Sequence, residues 1–312
     1  MTVIYGGGIA GLLAGCMFQT AKIFEAAPEN SSGHKALLRF RSSAVGDAIG
    51  IDFRKVRVHK GIWIDGKFAE PNIQLSNLYS RKVIGKLADR SIWNLDPCDR
   101  FIAPEDFIGQ LIERCRGRIE WSHPVTAEEI EKETRKIIST MPMSVMAKLI
   151  ADLDPTSPPA APIPEFKHEP ITVRRWRIPG ADVFQTIYFP SPDNNLYRAS
   201  ITGDMLIAEY VGDKIDDNRS ERYGGDIQKA FGLDMSWQSV ETVNQRYGKI
   251  AKIDDAWRKQ FIFRLSNHHN IFSLGRFGTW RNILLDDVLK DISVIKRLMN
   301  TSTYDRSRHS AK

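Results

Sequence analysis

The sequence predicts an α/β protein in which an N-terminal βαβ domain is interleaved with a second, α+β domain. Three features carry that reading. The N-terminus runs strand, glycine turn, helix, strand, and the second strand ends in an acid, Glu25. Residues 171–211 are a dense succession of β-branched and aromatic runs separated by turns such as Ser191-Pro192-Asp193-Asn194. Near the C-terminus, the apolar run Ile271-Phe272-Ser273-Leu274 leads directly into Gly275-Arg276.

The first unit is the most informative. Thr2-Val3-Ile4-Tyr5 is a short strand, Leu12 to Phe18 an apolar helix, and Ala21 to Glu25 a second strand. Between strand and helix, Gly6, Gly8 and Gly11 form a G-x-G-x-x-G pattern in the context that gives it meaning. Gly6 permits the tight turn, Gly8 lets the backbone approach a diphosphate, and Gly11 lets helix and strand pack closely. The first helical turn, with Ile9 and Ala10, points unpaired N–H groups at the anion. Glu25 is placed to accept hydrogen bonds from ribose hydroxyls. This is a Rossmann-type dinucleotide site.

The remaining elements follow in order. Residues 28–50 form a loop around a short helix, and Arg54 to Lys60 form a strand. Ile62 to Phe68 form a hairpin turning at Asp65-Gly66. Residues 70–116 read as mostly helical, with a helix start at Pro104-Glu105-Asp106. Arg118 to Trp121 is a strand, 128–135 a charged helical turn, and Lys136 to Thr140 a strand closed by Met141-Pro142. Prolines 155, 158, 159, 162, 164 and 170 mark a crossover between domains. Residues 217–232 and 286–299 are helical, and 301–312 form a polar, flexible tail. The cofactor-binding domain therefore comprises 1–50, 112–152 and 265–300, and the substrate domain 51–111 and 153–264.

Composition bounds the function. The 312 residues can bury two joined cores. No apolar run approaches the roughly 18 residues of a membrane span, and no signal-peptide layout opens the chain, so a cytoplasmic location and no membrane partner are expected. The three cysteines, Cys16, Cys98 and Cys115, argue by odd count and wide spacing against a disulfide framework or a zinc site. Seven scattered histidines show no metal or triad spacing, and no metal is expected. The 44 Lys+Arg exceed 38 Asp+Glu, for a net charge of +6. That surplus fits plain solubility and equally a polyanionic partner such as nucleic acid.

Three further segments specify the cofactor. The extended basic loop after Glu25, with Lys35, Arg39 and Arg41, suits a long buried dinucleotide. Ile137-Ile138-Ser139-Thr140-Met141-Pro142, with the helix through Val145 and Lys148-Leu149, resembles the strand–Thr-x-Pro–helix segment of the flavin amine oxidase superfamily. Leu274-Gly275-Arg276-Phe277-Gly278-Thr279-Trp280-Arg281 resembles the C-terminal flavin motif of UDP-galactopyranose mutases and related amine-oxidase-like flavoproteins. The resemblance implies FAD and a Rossmann-type FAD-binding domain with an interleaved α+β substrate domain. It implies that Arg276 neutralises the diphosphate and that backbone N–H groups around Ile283, Leu284 and Leu285 face the flavin pyrimidine edge. The implied cofactor set is Gly6, Gly8, Ile9, Ala10, Gly11, Glu25, Ala26, Lys35, Leu38, Arg39, Val125, Thr140, Met141, Gly275, Arg276, Ile283 and Leu284. The chain departs from the mutases at Asn282-Ile283-Leu284-Leu285-Asp286, which replaces an aromatic-rich stretch.

The middle of the chain speaks to substrate. Arg174-Arg175-Trp176-Arg177 interleaves cations with an aromatic, a pattern that can hold phosphates and stack a base, or simply form a solvated strand face. Arg54, Arg174, Trp176 and Arg198 are the substrate candidates. By position, Lys249 resembles the lysine that assists oxygen reactivity in flavin amine oxidases, and it is the catalytic candidate. Taken whole, the chain resembles small viral flavoproteins of the amine-oxidase type. That resemblance implies a bacteriophage oxidase acting on glycyl-thymidine in hypermodified DNA, in the host cytoplasm, with DNA as substrate. The alternatives are a mutase-like, non-redox flavoenzyme acting on a nucleotide sugar, and a flavin-binding scaffold without catalysis. Oligomeric state is left open.

Overall fold

The computed structural model describes residues 1–29, 31, 34–88, 91–153, 162–215, 225–233 and 241–301. Prolines 155, 158 and 159, the first part of the predicted 217–232 helix, and residues 302–312 of the predicted tail lie outside the described residues.

In chain order the first half holds β1 (Thr2–Tyr5), α1 (Ile9–Met17), β2 (Lys22–Phe24), α2 (Ala44–Ile49), β3 (Arg54–Ile64), β4 (Lys67–Phe68), α3 (Ile73–Ile84), β5 (Cys98–Ile102), α4 (Phe107–Arg114), β6 (Ile119–Glu120), α5 (Ala127–Lys132), β7 (Lys136–Ser139) and α6 (Met143–Leu153). The second half holds β8 (His168–Arg177), β9 (Val183–Tyr188), β10 (Leu196–Gly203) and β11 (Met205–Val211). A helix, α7, covers 225–231. It is followed by β12 (Glu241–Ile250), α8 (Asp255–His268), β13 (Ile271–Ser273), α9 (Gly275–Gly278) and α10 (Leu285–Thr301).

The strands sort into two sheets. The first is parallel, in the order β13-β7-β1-β2-β6. Its central strands are apolar on both faces, as a sheet covered on both sides requires. Ile4 packs with Leu12 and Leu13 of α1, Leu111 of α4 and Ile292 of α10. Its neighbours Val3 and Tyr5 point the other way, into a core with Met146 of α6 and Phe261 and Leu265 of α8. This two-residue alternation is the strand period itself.

The second sheet is mixed, in the order β12-β8-β11-β10-β9-β3-β4, with β5 also paired to β3. Most pairings are antiparallel, but β3 runs parallel to β9 from His59 to Ile62. The β3–β4 hairpin turns at Asp65 (φ 52°) and Gly66 (φ 75°), the two positive angles that a type I′ turn needs.

The predicted α/β class holds, with local corrections. The segment 70–116 is not mostly helical. It contains β5, whose five residues pair antiparallel with Arg54–Val58 of β3. That partner, far upstream in the chain, decides the conformation, and no local period announces it. The sequence alone does not single out β12 or α8 either. β12 alternates exposed and half-buried positions, and α8 buries only Trp257, Phe261 and Leu265 among its 14 residues, so neither carries a strong apolar period.

Candidate cofactor and active site

The site starts at the turn between β1 and α1. Gly6 has φ 101°, and a Cβ there would lie 2.4 Å from the Thr140 hydroxyl oxygen. A Cβ on Gly11 would lie 1.9 Å from the Gly6 carbonyl oxygen. The two glycines thus allow α1 to seat directly on the strand. Thr140, just past β7, locks the turn: its hydroxyl donates to the Gly6 carbonyl at 2.9 Å, and its N–H donates to the Tyr5 carbonyl at 2.8 Å. Gly8 is different. It caps α1 with φ −65° and no side-chain cap, and a Cβ there would meet nothing within 4 Å. No side chain caps the first turn at Ile9 and Ala10, and Gly8 borders open space, as an anion site requires.

Glu25 follows β2 and turns back to this loop. One carboxylate oxygen accepts from the Gly7 N–H at 2.5 Å, the other from the Ala27 N–H at 2.8 Å. Each oxygen keeps acceptor capacity. Ala26 between them is exposed.

The C-terminal segment closes on the same turn. Gly275 has φ 79°, and a Cβ there would lie 2.7 Å from the Ala10 Cβ. The next residue, Arg276, donates from one terminal nitrogen to the Gly248 carbonyl at 3.1 Å. Its Nε is buried with no hydrogen-bond partner. Burial pushes the guanidinium below its ordinary value. A partly desolvated arginine with unfilled donors, one residue from the α1 cradle, fits a diphosphate, whose charge a single glycine turn cannot balance.

Behind Arg276 lies a cluster drawn from the second sheet. Glu209, in the middle of the apolar strand β11, is 1% exposed and pairs with Arg198 of β10. Burial works to raise its carboxyl, but Arg198, followed by Lys249 and His34, outweighs burial and holds it below the usual value. Tyr197 is fully buried beside the pair; burial, then the Glu209 charge, push its phenol well up. Lys249 of β12 stands over the Tyr197 ring, with its ammonium 4.2 Å from the centroid. Two sheet irregularities put these side chains together. The β10–β11 register shifts between Leu196 and Arg198, and the β12–β8 register shifts between Gln245 and Lys249. Such bulges re-aim side chains that a regular ladder would send elsewhere.

The structure thus gathers Arg198, Lys249 and Arg276 at one place. Arg39 is tied to the second sheet, donating to the Thr186 hydroxyl and the Ile201 carbonyl, each at 2.7 Å. Burial, then Arg198, lower it to about 10. Lys35 pairs with Glu241 of β12 at 3.1 Å. Leu38 packs against the core under α1, and Val125 and Met141 against the core on the other face of the sheet. The Ile283 N–H donates to the Arg281 carbonyl and the Leu284 N–H to the Asp287 carboxylate, so both amides are engaged within their own turn.

The other substrate candidates lie apart. Arg54 is exposed and makes a two-pronged pair with Asp182. Trp176 is buried with Ile178 and Ile187, so its ring is packed in the core and not presented for stacking. Arg174 lies between Ala208 of β11 and Thr242 of β12. Sequence reasoning misses Glu209 and Tyr197. An acid inside the run Met205-Leu206-Ile207-Ala208-Glu209-Tyr210-Val211 is the available signal, since a buried carboxylate needs a partner. A cavity lined by Thr2, Lys136 and Asn270 opens at the amino ends of the parallel strands, opposite the carboxyl ends where open α/β sheets bind ligands.

No protein-family model and no curated protein sequence matches the chain. Solved structures do. A reduced UDP-galactopyranose mutase superposes with a TM-score of 0.66 at 13% identity, over 97% of this chain and 94% of that one. A putative protoporphyrinogen oxidase from Exiguobacterium sp. 255-15 gives 0.56 at 11% identity, over 96% and 99%. A protein from Pyrococcus furiosus gives 0.54 at 12% identity, over 98% and 99%. Over nearly its whole length, the chain has the fold that these proteins share.

Proposed function

We propose that the chain is an FAD-dependent oxidoreductase that oxidises the C–N bond of an amino-acid-modified thymine, glycyl-thymidine, in DNA. The observation that carries the cofactor reading is the meeting of an uncapped α1 N-terminus with Arg276, whose buried Nε has no partner. Gly8 and the Ile9 and Ala10 amides would hold the diphosphate, Arg276 would balance it, and Glu25 would take the ribose hydroxyls. Thr140 keeps the Gly6 turn closed around it. Bound flavin supplies a two-electron acceptor.

Arg198 and Lys249, backed by the buried Glu209 and Tyr197, would border the substrate. Arg198 and Lys249 are cations beside the reacting position, and neighbouring cations favour the neutral amine, the form that reacts. Lys249 is the candidate for holding a water near the cofactor. Hydrolysis of the resulting imine would release glyoxylate and leave an aminomethyl base. The net charge of +6 supports a DNA substrate, and a base read here leaves the helical stack. The UDP-galactopyranose mutase likeness favours a second reading, a non-redox flavoenzyme on a nucleotide sugar, active only with reduced flavin.

The test is direct. The purified protein is expected to carry flavin absorbance and to release hydrogen peroxide and glyoxylate from glycyl-thymidine DNA. A yellow protein that makes neither product refutes the oxidase, and turnover of a nucleotide sugar only after reduction establishes the second reading. A protein without flavin sinks both.

A further inference from the structure

Away from the site, α1 meets the end of α4 through two thiols. Cys16 lies in the last turn of α1 and Cys115 directly follows α4. They are 99 residues apart in sequence, yet their sulfurs are 4.0 Å apart. Both are free thiols; Cys115 is buried and Cys16 half-buried, so the pair is reachable from one side. The contact is built. Gly15 leaves the space for it, since a Cβ there would lie 2.9 Å from the Cys115 sulfur. Cys115 also approaches the Leu12 carbonyl at 3.7 Å. The Arg118 guanidinium is held beside the pair by the Gly15 and Ala21 carbonyls, at 3.1 and 3.0 Å.

We propose that Cys16 and Cys115 form a peroxide-oxidisable dithiol that closes to an intramolecular disulfide between α1 and α4. The pair has what such chemistry needs: a thiolate-stabilising cation and a resolving thiol in contact. The contact with Cys16, and then the Arg118 cation, hold the Cys115 thiol below its ordinary value against the effect of burial. In the reaction, a thiolate attacks one oxygen of hydrogen peroxide and breaks the O–O bond, leaving a sulfenic acid and, after protonation, water. The second thiol then attacks that sulfur, and the displaced hydroxide leaves as a second water. Two thiols are oxidised and one peroxide is reduced to two waters. The sulfurs close from 4.0 Å to the bonded distance of about 2.0 Å. The proposal does not depend on flavin binding.

The experiment uses the full chain, reduced and then treated with hydrogen peroxide at neutral pH before alkylation under denaturing conditions. The expected result is a fall from three alkylatable thiols to one, a cross-linked peptide pair containing Cys16 and Cys115, and full recovery with dithiothreitol. Cys98→Ser should still lose two thiols, and Cys16→Ser should form no intramolecular bond. Cys16 is half-buried in a helix end, so its replacement spares the core even if Cys115→Ser fails to fold. Retention of three thiols, over-oxidation without a cross-link, or a bond through Cys98 would overturn the proposal.

Discussion

The glycine turn offers a perturbation in which structure and ligand separate cleanly. Gly11→Ala puts a methyl 1.9 Å from the Gly6 carbonyl oxygen. That oxygen belongs to the backbone and is held by Thr140, so α1 has to recede by about 1.1 Å to reach even the 3.0 Å that real side-chain carbons respect. Overpacking of this kind costs about 1–3 kcal/mol. At about 2–4 °C per kcal/mol for a chain of this class, Tm should fall by about 2–12 °C. Gly8→Ala is the control. Its φ of −65° suits alanine and its Cβ meets nothing within 4 Å, so the ligand-free fold should change by less than about 1 kcal/mol. The methyl would stand in the space in front of α1, where a diphosphate would approach. Losing one charge-assisted contact there costs about 2 kcal/mol, or about 30-fold in Kd. Thermal unfolding of the flavin-stripped proteins, with flavin titration by fluorescence quenching, reads both effects. If Gly8→Ala lowers the ligand-free Tm as much as Gly11→Ala, or binds flavin like the parent, the assignment of these two glycines is wrong.

Two other outcomes follow from the second sheet. Glu209→Gln keeps shape but leaves Arg198 without its counter-charge, which should cost about 3–5 kcal/mol in denaturant unfolding at neutral pH. Because the folded Glu209 carboxyl lies below its unfolded value, its contribution is present above the unfolded carboxylate range and lost as pH falls through the folded value. The gap between parent and Glu209→Gln should therefore narrow on acidification, and a pH-independent gap would contradict the pairing. Lys82 of α3 donates to the Phe189 and Ser191 carbonyls and the Asn194 side chain at 2.8, 2.6 and 3.0 Å, and also to the Leu196 carbonyl. Lys82→Met strands these acceptors and should cost about 3 kcal/mol or more, with faster proteolysis between β9 and β10, whereas a neutral result would show that water replaces the ammonium.

Much of this molecule is legible in its sequence because the relevant forces are local. The β1–α1–β2 unit, the Asp65-Gly66 turn and the strand that runs up to Thr140 are each set by a few adjacent residues. β5 and β12 are not, since both are made strands by partners far along the chain, Arg54–Val58 in one case and β8 in the other. The cluster behind Arg276 escapes the sequence for the same reason. Arg198 and Lys249 can be named from composition and position, but Glu209 and Tyr197 become meaningful only when two sheet bulges bring β10, β11 and β12 together. Trp176 shows the converse: a cation–aromatic string suggests a binding face, yet the strand period sends the ring into the core.

The strand order has a consequence for how the chain is made. β13, late in the sequence, pairs with β7, which pairs with β1 at the very beginning. α10 then supplies Ile292 and Ile295 to the core under α1. A ribosome that has delivered everything through α8 has produced a glycine-turn βαβ unit whose sheet is bare at the β7 edge and whose α1, packed on α2 and α4, still lacks α10. α1 therefore gains its last cover late, and β7 presents a pairing-competent edge until β13 is made. Completion of the parallel sheet and of the core over α1 thus waits on β13 and α10.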